Sequence, residues 1–477
     1  MNKKGLLCII VTLLCSLRAF QLFLSATTEL RPEGSWFPLF KQRPSSLGRL
    51  PAQKNDTIVL GTESNHLFYF VHVSKNTTDK MLTYHIQATD LHLSRYRPKG
   101  HTFHFFHFIQ SILPVVKPKF VVVTGDLTDA KDKKRITSHQ YVDEWDVYQQ
   151  AIKEKVNVDW YDMRGNHDCF DLPSWQSRVN YYRTHGQKAG LVEQGNGIYS
   201  WQVDQLESRY QFVAIDACPK KGPSRPLNFF GYLTSKTMDQ LEKTLMSASF
   251  NHTFVFSHYP TSTMVFGLGD VLKSYDPVTK SLELELGDLK EHGLYRIVAV
   301  DHDLISFVDV QLPLDQIPKK GPVNSLGLVH PMAQDKTIVW PHPVQPAPSI
   351  LVTNPKDARF SLPSKEPLWR IRQSSHIRFL VFSGQDPDQL KIDIFIDKHP
   401  HPHPAHFVGD AEHPLWVAAW NTSLFEDKAT YALKIQVTQP NGQVGVSETL
   451  FRMDTQRIKI GGGSGEFIIK SKMTTVL

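Results

Sequence analysis

The middle of the chain alternates between short apolar runs and longer segments of helical period. The short runs are rich in β-branched or aromatic side chains, as buried strands usually are. They are residues 84–88, 120–124, 160–164, 212–217 and 253–257. Segments with helical spacing lie between or after them, at 101–116, 141–155, 175–185 and 235–246. This order predicts an α/β domain in which helices cover a sheet.

Three polar blocks follow three of these predicted strands directly. They are Asp90 with His92, Asp126 after a glycine, and the run Asn166, His167 and Asp168. In an open α/β sheet, ligands bind in the crevice outside the carboxyl ends of the strands. A further histidine, His258, follows a fourth predicted strand at 253–257. We therefore expect these side chains to meet at one edge of the sheet.

The last third of the chain has a different pattern. Short alternating runs separated by turn residues predict strands near 350–352, 376–382, 390–396, 415–420, 432–438 and 444–451. Such a series is typical of an immunoglobulin-like β-sandwich. Residues 312–349 contain eight prolines and little periodicity, so they are predicted to be a linker.

These patterns divide the chain into six segments. They are a signal peptide or anchor at 1–26, an irregular segment at 27–79, the α/β domain at 80–311, a Pro-rich linker at 312–349, the β-sandwich at 350–455 and a flexible tail at 456–477.

The N-terminus and the sequons bear on location. Two lysines and a broken apolar stretch resemble a secretory signal, with an uncleaved membrane anchor as the alternative. Four Asn-x-Ser/Thr sequons, at Asn55, Asn76, Asn251 and Asn421, agree with a glycoprotein of the secretory pathway. We expect a lumenal, extracellular or membrane-associated protein, with any membrane association made through the N-terminal segment.

Composition excludes some functions and leaves others open. The chain has 477 residues and a net charge of +6, from 53 basic and 47 acidic residues, with no long basic run. Nucleic acid is therefore not an expected partner, whereas an anionic substrate is compatible with the charge. Outside the leader, the cysteines are Cys169 and Cys218. They could form a disulfide, although two unpaired core thiols are the favoured interpretation.

The residue types at the predicted sheet edge suit divalent metals. Carboxylate, imidazole and amide oxygen are ligands for two metal ions that share one carboxylate and a water-derived hydroxide. Asp126 is the natural bridging ligand. Asp90 and His92 can reach the same ion only if the chain leaves strand geometry there. His167 could assist the leaving group as a general acid or as an electrostatic clamp, with Asp168 orienting it.

These blocks resemble the signatures of a known family. Asp-x-His at 90–92, Gly-Asp at 125–126 and Gly-Asn-His-Asp at 165–168 are similar, in this order, to the calcineurin-like metallophosphoesterases. The stretches 125–130, 228–231, 301–303 and 351–356 are similar to the transmembrane protein 62 group within that family. The resemblance implies a four-layered αββα core and hydrolysis of phosphate mono- or diesters through a metal-bridging hydroxide.

The resemblance also implies a ligand set. Asp90, His92 and Asp126 would bind one metal, and Asp126, Asn166 and His258 the other. The ions would be manganese, iron or zinc. The family's last signature, Gly-His-x-His, is absent from the sequence. The window between Tyr259 and the strand-like run 281–286 is interpreted as an internal deletion. The membrane spans that the group carries after its sandwich are also absent from the sequence.

Two functions are compatible with a site that keeps most of the family's metal ligands but lacks its last signature. One is a metal-dependent phosphoesterase acting on a phosphate ester. The other is a catalytically impaired protein, secreted or tethered to a membrane, that acts as a binding module through its sandwich. Among other polar groups, Asp129 is expected to cap a turn, and residues 301–303 to make hydrogen bonds at a sheet edge rather than a metal triad. The His-Pro run at 399–403 is interpreted as an extended loop.

Overall fold

The computed structural model describes most of the chain beyond residue 80. The described residues are 81–97, 99–219, 222, 230–266, 270–271, 281–318, 323–329 and 336–458. The predictions for the leader, for the segment 27–79 and for nearly all of the tail lie outside them, as do the sequons at Asn55 and Asn76. Within the window that lacks Gly-His-x-His, residues 267–269 and 272–280 also lie outside them.

The first sheet has five strands in the order β11-β10-β1-β2-β3. Its members are β1 (Leu82–Ala88), β2 (Phe120–Val123), β3 (Asp159–Asp162), β10 (Leu294–Asp301) and β11 (Leu304–Gln311). β1, β2 and β3 run parallel, so their carboxyl ends lie at the same edge. β10 pairs with β1 in the antiparallel direction and β11 forms a hairpin with β10. The three predicted polar blocks therefore share one edge.

Two helical segments connect the parallel strands and bury apolar side chains against this sheet. Helix α1 runs through Thr102–His107, a π-helical part at Phe108–Ile112, and Leu113–Val116. Helix α2 spans Val142–Lys155 and buries Trp145, Tyr148 and Ile152 in the same core. Since each crossover joins neighbouring parallel strands, the strand-end loops are held at fixed spacing.

A second sheet packs against the first. It contains β4 (Ile198–Asp204), β5 (Arg209–Ile215) and β7 (His252–Ser257), in the order β4-β5-β7. Aromatic side chains fill the space between the sheets: the rings of Tyr161 and Trp201 stack with centroids 3.8 Å apart, and those of Phe120 and Phe212 meet edge to face at 4.9 Å. Bulky rings of this kind supply much of the burial that holds two layers together.

Helix α5 (Ser235–Leu245) covers the other face of the second sheet. Its Met238 and Leu241 join a buried cluster with Ile198 and Val213. Thr234 caps the helix, because its hydroxyl accepts a hydrogen bond from the Thr237 backbone at 3.1 Å. The layers are thus helix, sheet, sheet and helix, which confirms the predicted αββα core.

Smaller elements complete this domain. Two short helices, α3 (Tyr182–His185) and α4 (Ala189–Gln194), precede β4. A small sheet of β6 (Gly231–Leu233), β8 (Met264–Phe266) and β9 (Asp270–Val271) follows the order β6-β8-β9. Short 3-10 turns occupy His167–Cys169 and Thr261–Thr263.

Cys169 and Cys218 form a disulfide, so the favoured interpretation of two unpaired thiols was wrong. Cys169 directly follows the third polar block, and Cys218 lies just beyond β5. Their Cα atoms are 6.5 Å apart across a sequence separation of 49 residues. The bond therefore ties a loop of the first sheet's edge to the second sheet.

The Pro-rich segment packs onto the α/β domain rather than standing away from it. Leu326, Leu328 and Ile338 are buried in the main core. Trp340 Nε1 donates to Glu154 Oε2 on α2 at 2.9 Å. The described parts of 312–349 therefore connect the two domains while covering the outside of the helical layer.

The C-terminal domain is a sandwich of two four-stranded sheets, as predicted. Their orders are β12-β13-β17-β16 and β15-β14-β18-β19. The strands are β12 (Ser349–Asn354), β13 (His376–Phe382), β14 (Lys391–Ile396), β15 (His399–Pro400), β16 (Ala405–Phe407), β17 (Leu415–Ala419), β18 (Tyr431–Thr438) and β19 (Val444–Phe451). Helix α6 (Trp369–Gln373) and 3-10 turns at Pro387–Gln389 and Thr422–Leu424 lie between strands.

A buried polar cluster joins the two domains. Asp301, at the end of β10, accepts two hydrogen bonds from Arg378 on β13, at 2.8 and 3.0 Å, and a third from Thr353 on β12 at 2.6 Å. Asp303 accepts from Ser208 and from Tyr210, each at 2.9 Å. The hydrogen-bonding role expected for residues 301–303 is confirmed.

Three local predictions need correction. The helix expected over 175–185 is present only at its end, in α3, since residues 175–181 form turns. The strand-like run 281–286 forms no strand with any segment that the structure describes. Strand β4 was not predicted, although its residues from Tyr199 to Asp204 alternate between apolar and polar side chains.

Candidate metal centre

The loops after β1 and β2 run side by side beyond the ends of the strands. Asp90 N donates to Gly125 O at 3.0 Å, and His92 N donates to Asp126 O at 2.9 Å. Asp90, His92 and Asp126 have positive φ angles of 53°, 45° and 52°. Left-handed backbone at three non-glycine residues is uncommon and clusters at functional sites. The backbone thus leaves strand geometry at Asp90 and His92, as the binding of both side chains to one ion requires.

Two glycines allow the strand ends to approach closely. A Cβ atom on Gly125, whose φ is +93°, would lie 2.6 Å from the Gly165 nitrogen. A Cβ atom on Gly165 would collide with the Asp126 carboxylate. The loops after β2 and β3 therefore touch through backbone, and a side chain at either glycine would separate them.

The Asp126 carboxylate lies at the centre of the site. Its Oδ2 is 3.1 Å from His92 Nε2, and its Oδ1 is 3.4 Å from His258 Nε2. Each carboxylate oxygen thus faces a different imidazole, one from the first sheet and one from the second. Asn166 Oδ1 lies 3.0 Å from His258 Nε2. Asp90 Oδ1 lies 3.2 Å from His92 Nε2.

The three histidines around Asp126 share one pattern of anchoring. Each has its Nδ1 beside an acceptor: the Asp129 carboxylate for His92 at 3.2 Å, the Asp129 carbonyl for His167 at 2.5 Å, and the Thr124 carbonyl for His258 at 2.8 Å. An acceptor at Nδ1 fixes the proton there and turns Nε2 toward the centre. Metal-binding histidines are oriented in this way in most proteins.

Asp129 is part of the site, so the prediction of a turn cap was wrong. It is buried, and its carboxylate accepts from Ser94 Oγ at 2.9 Å as well as facing His92. The only sequence signal for this role was its position three residues after Asp126. That signal could not separate an inward carboxylate from one that caps the next turn.

Asp168 does not orient His167, which corrects its expected role. Its carboxylate accepts hydrogen bonds from the backbone of Leu127, Thr128 and Gly165 at 2.8 to 3.1 Å. The Asp129 carbonyl orients the His167 ring instead. Asp168 therefore locks the loops after β2 and β3 together and acts on the site indirectly.

The carboxylates attract positive charge to the centre. Burial alone would lower the pKa of His92, but Asp126, Asp129 and Asp90 outweigh it and raise that pKa to about 10. Burial alone would likewise raise the pKa of Asp126, but the neighbouring imidazoles hold it well below its usual range. A proton, a side-chain cation or a metal ion is therefore stabilised at this point.

His167 and Asp168 differ from these two residues. Burial lowers the pKa of His167 to about 3, so the ring is neutral at physiological pH. Burial, together with the charge of Asp126, raises the pKa of Asp168 to about 7. His167 Nε2 lies 3.8 Å from Asp126 Oδ2 and carries a free lone pair when Nδ1 holds the proton.

The structure brings all seven predicted site residues to this edge. The assignment of Asp90, His92, Asp126, Asn166 and His258 as metal ligands stays a prediction. Sequence reasoning missed Lys290, whose Nζ lies 3.2 Å from Asp90 Oδ1 and 2.9 Å from His92 Nε2. The side chains of Asp90 and Lys290 are 25% and 22% exposed, whereas those of His92 and Asp126 are 1% and 4% exposed. The site therefore opens to solvent beside Asp90 and Lys290.

The donor set fits divalent metals. Among the described residues, His92, Asp126 and His167 form a buried group whose ligand atoms all lie within 4.8 Å of one another. Asp90, Asn166 and His258 add carboxylate, amide and imidazole donors around it. Oxygen and imidazole donors without thiolates suit manganese, iron or zinc.

Comparison with known protein families agrees with this geometry. Residues 86–285 match the model of the calcineurin-like phosphoesterase family, and residues 344–457 match the model described as the TMEM62 Ig-like domain. The chain therefore contains a calcineurin-like phosphoesterase domain followed by an immunoglobulin-like domain, which confirms the resemblance seen in the sequence.

Two curated relatives carry the comparison further. The chain is 30% identical over 421 residues to mouse (Mus musculus) transmembrane protein 62, which covers 82% of this chain and 56% of the mouse protein. It is 31% identical over 196 residues to an Arabidopsis thaliana protein provisionally named a metallophosphoesterase, covering 39% of this chain and 26% of that protein. The chain thus spans about half, or less, of these relatives' lengths.

The similarity to a transmembrane protein raises the question of spans. Within the part of the chain that the structure describes, none of the helices combines the length and the apolar character needed to cross a bilayer.

Proposed function

We propose that this chain is a metal-dependent phosphoesterase that hydrolyses phosphate mono- or diesters. The observation that carries the proposal is the position of Asp126. Its two carboxylate oxygens face His92 and His258, which come from different sheets. That arrangement is what a carboxylate shared between two cation positions requires. The phosphoesterase family match supports the same class of reaction.

The residues would hold divalent ions in two half-sites. We define the first half-site as Asp90, His92 and Asp126, and the second as Asp126, Asn166 and His258. Divalent ions there would neutralise charge on a phosphate and lower the pKa of water so that it can act as the nucleophile.

His167 is better suited to accept a hydrogen bond or to bind a cation than to donate a proton. Its Nδ1 must donate to the Asp129 carbonyl, because a carbonyl oxygen can only accept. Burial keeps the pKa of the ring at about 3, so Nε2 is unprotonated near neutral pH. We therefore propose that His167 helps to bind and orient the group held at the centre of the site. This role replaces the general-acid role expected from the sequence.

We also propose that the protein works in the secretory pathway. The disulfide between Cys169 and Cys218 supports an oxidising compartment. Of the two sequons in the described residues, Asn421 is exposed. Asn251 is less accessible, since its amide donates to Ser208 and Asp303. Association with a membrane through the N-terminal segment is part of this proposal, and the similarity to a transmembrane protein agrees with it.

A catalytically impaired binding protein is the second candidate. The observation that favours it is the absence of Gly-His-x-His from the sequence, which removes one expected imidazole from each half-site. The missing motif would help to bind the positively charged metal ions. The Lys290 ammonium supplies part of that positive charge beside Asp90. In this version the site still binds metal, and the sandwich provides the binding surface.

Hydrolysis of two generic esters tests the proposal. Purified chain loaded with Mn²⁺, Zn²⁺ or Fe²⁺ is given p-nitrophenyl phosphate and bis-p-nitrophenyl phosphate, with Asp126→Asn as the control. We expect at least one ester to be hydrolysed at more than ~100-fold the rate of the control, since the variant loses the shared ligand. Metal binding without turnover of either ester would favour the impaired protein and reject the phosphoesterase.

A further inference from the structure

Lys290 contacts the donor atoms of the first half-site directly. Its Nζ lies 3.2 Å from Asp90 Oδ1 and 2.9 Å from His92 Nε2. These are the two atoms that would bind a metal ion in that half-site together with Asp126. Within the described part of the chain, the Lys290 ammonium makes these hydrogen bonds to the first half-site and none to Asn166 or His258.

The backbone holds Lys290 in this place. Lys290 N donates to Asp90 O at 3.1 Å, and Leu289 N donates to Thr89 O at 3.1 Å, so the segment pairs with the loop after β1. On its other side, His101 N donates to Lys290 O at 2.7 Å. A Cβ atom on Gly100 would collide with that same carbonyl. The lysine therefore projects from a segment fixed on both sides, unlike an ordinary surface lysine.

Chemistry prevents Lys290 and a metal ion from using His92 together. His92 Nδ1 faces the Asp129 carboxylate and carries a proton. The other ring nitrogen, Nε2, is therefore the atom left to bind a metal ion. The Lys290 ammonium lies 2.9 Å from Nε2, so a metal ion bound to that nitrogen would lie against the ammonium. Two cations repel each other at such a distance, whatever the protonation state of the ring.

We propose that the Lys290 ammonium takes the place of a divalent cation in the first half-site, so that this chain binds one metal ion, in the second half-site. The inference rests on the proposed metal site and deepens it. The ammonium supplies one positive charge against the Asp90 carboxylate, at 3.2 Å. Asp126, Asn166 and His258 remain available to the ion in the second half-site.

Counting bound Mn²⁺ tests the inference without measuring activity. The full chain and its variants are brought to equilibrium by dialysis against Mn²⁺ at neutral pH, and bound metal is counted by mass spectrometry. Lys290→Met removes the charge and keeps a side chain of similar length. We expect one ion per wild-type chain and two per Lys290→Met chain. Lys290→Arg keeps the charge and should bind one.

Lys131→Met is the matched control. Lys131 Nζ lies 3.8 Å from Asp129 Oδ1, so this variant removes the same charge from the same cluster at a different carboxylate. It should bind one ion, like wild type. Equal counts in wild type and Lys290→Met, whether one or two, would overturn the Lys290 inference and leave the proposed function intact. No bound ion in any chain would overturn both.

Discussion

His85 and His92 lie on the same strand and its following loop, and both are almost fully buried, with 2% and 1% of their surfaces exposed. Their pKa values are nonetheless shifted in opposite directions. Burial lowers the pKa of His85 to about 3. At His92, burial acts in the same direction, but three carboxylates overcome it and raise the pKa to about 10.

The surroundings explain the difference. His85 lies between the two sheets, stacked on Phe120 with ring centroids 4.7 Å apart, and its Nε2 has no hydrogen-bond partner among the residues that the structure describes. His92 lies at the strand-end edge against Asp90, Asp126 and Asp129. The interior thus tolerates a neutral polar ring, whereas the edge has gathered enough negative charge to require a cation. Such a contrast within one domain indicates a binding site.

Replacing Asp126 should have the largest effect on the difference between the charged strand-end edge and the interior. Asp126→Asn removes the shared ligand and the largest charge that attracts a cation to His92 and His258. We expect Mn²⁺ affinity to fall by roughly 100-fold or more, because even changes behind the metal ligands typically cost 10- to 100-fold. Equilibrium dialysis measures the effect.

Asp159→Asn is the matched control for that variant. Asp159 is an exposed carboxylate at the opposite end of β3, away from the strand-end edge. Its replacement should leave Mn²⁺ affinity unchanged. Equal losses in the two variants would show that general charge, and not the geometry of the edge, accounts for binding.

Removing the disulfide tests how the edge is supported. Cys169→Ser with Cys218→Ser frees the loop that carries Asn166 and His167 from the second sheet. Closing a loop of 49 residues is expected to stabilise the fold by about 2–4 kcal/mol in the chain-entropy model. Thermal unfolding of the variant should therefore occur at a lower temperature than in wild type.

The reductant response supplies the control for this prediction. Adding a reductant should lower the unfolding temperature of the wild type toward that of the double serine variant and should not affect the variant. If the double variant unfolds at the wild-type temperature, the bond does not support the edge.

Replacing His85, the histidine buried between the two sheets, should have a smaller effect, which is a change in stability that depends on pH. Because the pKa of His85 is about 3 in the folded chain and about 6.5 when unfolded, only the unfolded state gains this proton as the pH falls below 6.5. This costs the wild type about 2 kcal/mol of stability between pH 7 and pH 5. His85→Leu removes that cost.

The measurement is the difference in unfolding free energy between His85→Leu and wild type, obtained by denaturant titration at both pH values. The difference should move in favour of the variant by about 2 kcal/mol at the lower pH. A difference that does not change with pH would show that the folded chain protonates His85 and that the interior resembles the edge after all.

The sequence predicted the layers well because their signals are local. Buried strands such as β2 consist of consecutive aromatic and β-branched residues, and α2 has helical spacing over its whole length. The sandwich strands β13 and β19 were predicted to the residue for the same reason. Polar residues at the ends of parallel strands then placed most of the site at one edge.

The remainder of the site depends on contacts between distant segments. Lys290 reaches Asp90 only because residues 289–290 pair with the loop after β1, and nothing near Lys290 in the sequence signals that pairing. Asp168 follows His167 directly, yet its carboxylate turns to the backbone of the loop after β2. The disulfide likewise depends on how the two sheets face each other. Spacing along the chain could not decide any of these contacts.

The position of a bound ion tests the central claim most directly. Crystals of the full chain soaked in Mn²⁺ would give an anomalous difference map that locates the metal without reference to activity. We predict a peak within coordination distance of Asp126, Asn166 and His258. A peak confined to another place, such as the exposed His399–Pro400 strand, or no peak in crystals where these residues are ordered, would contradict the account.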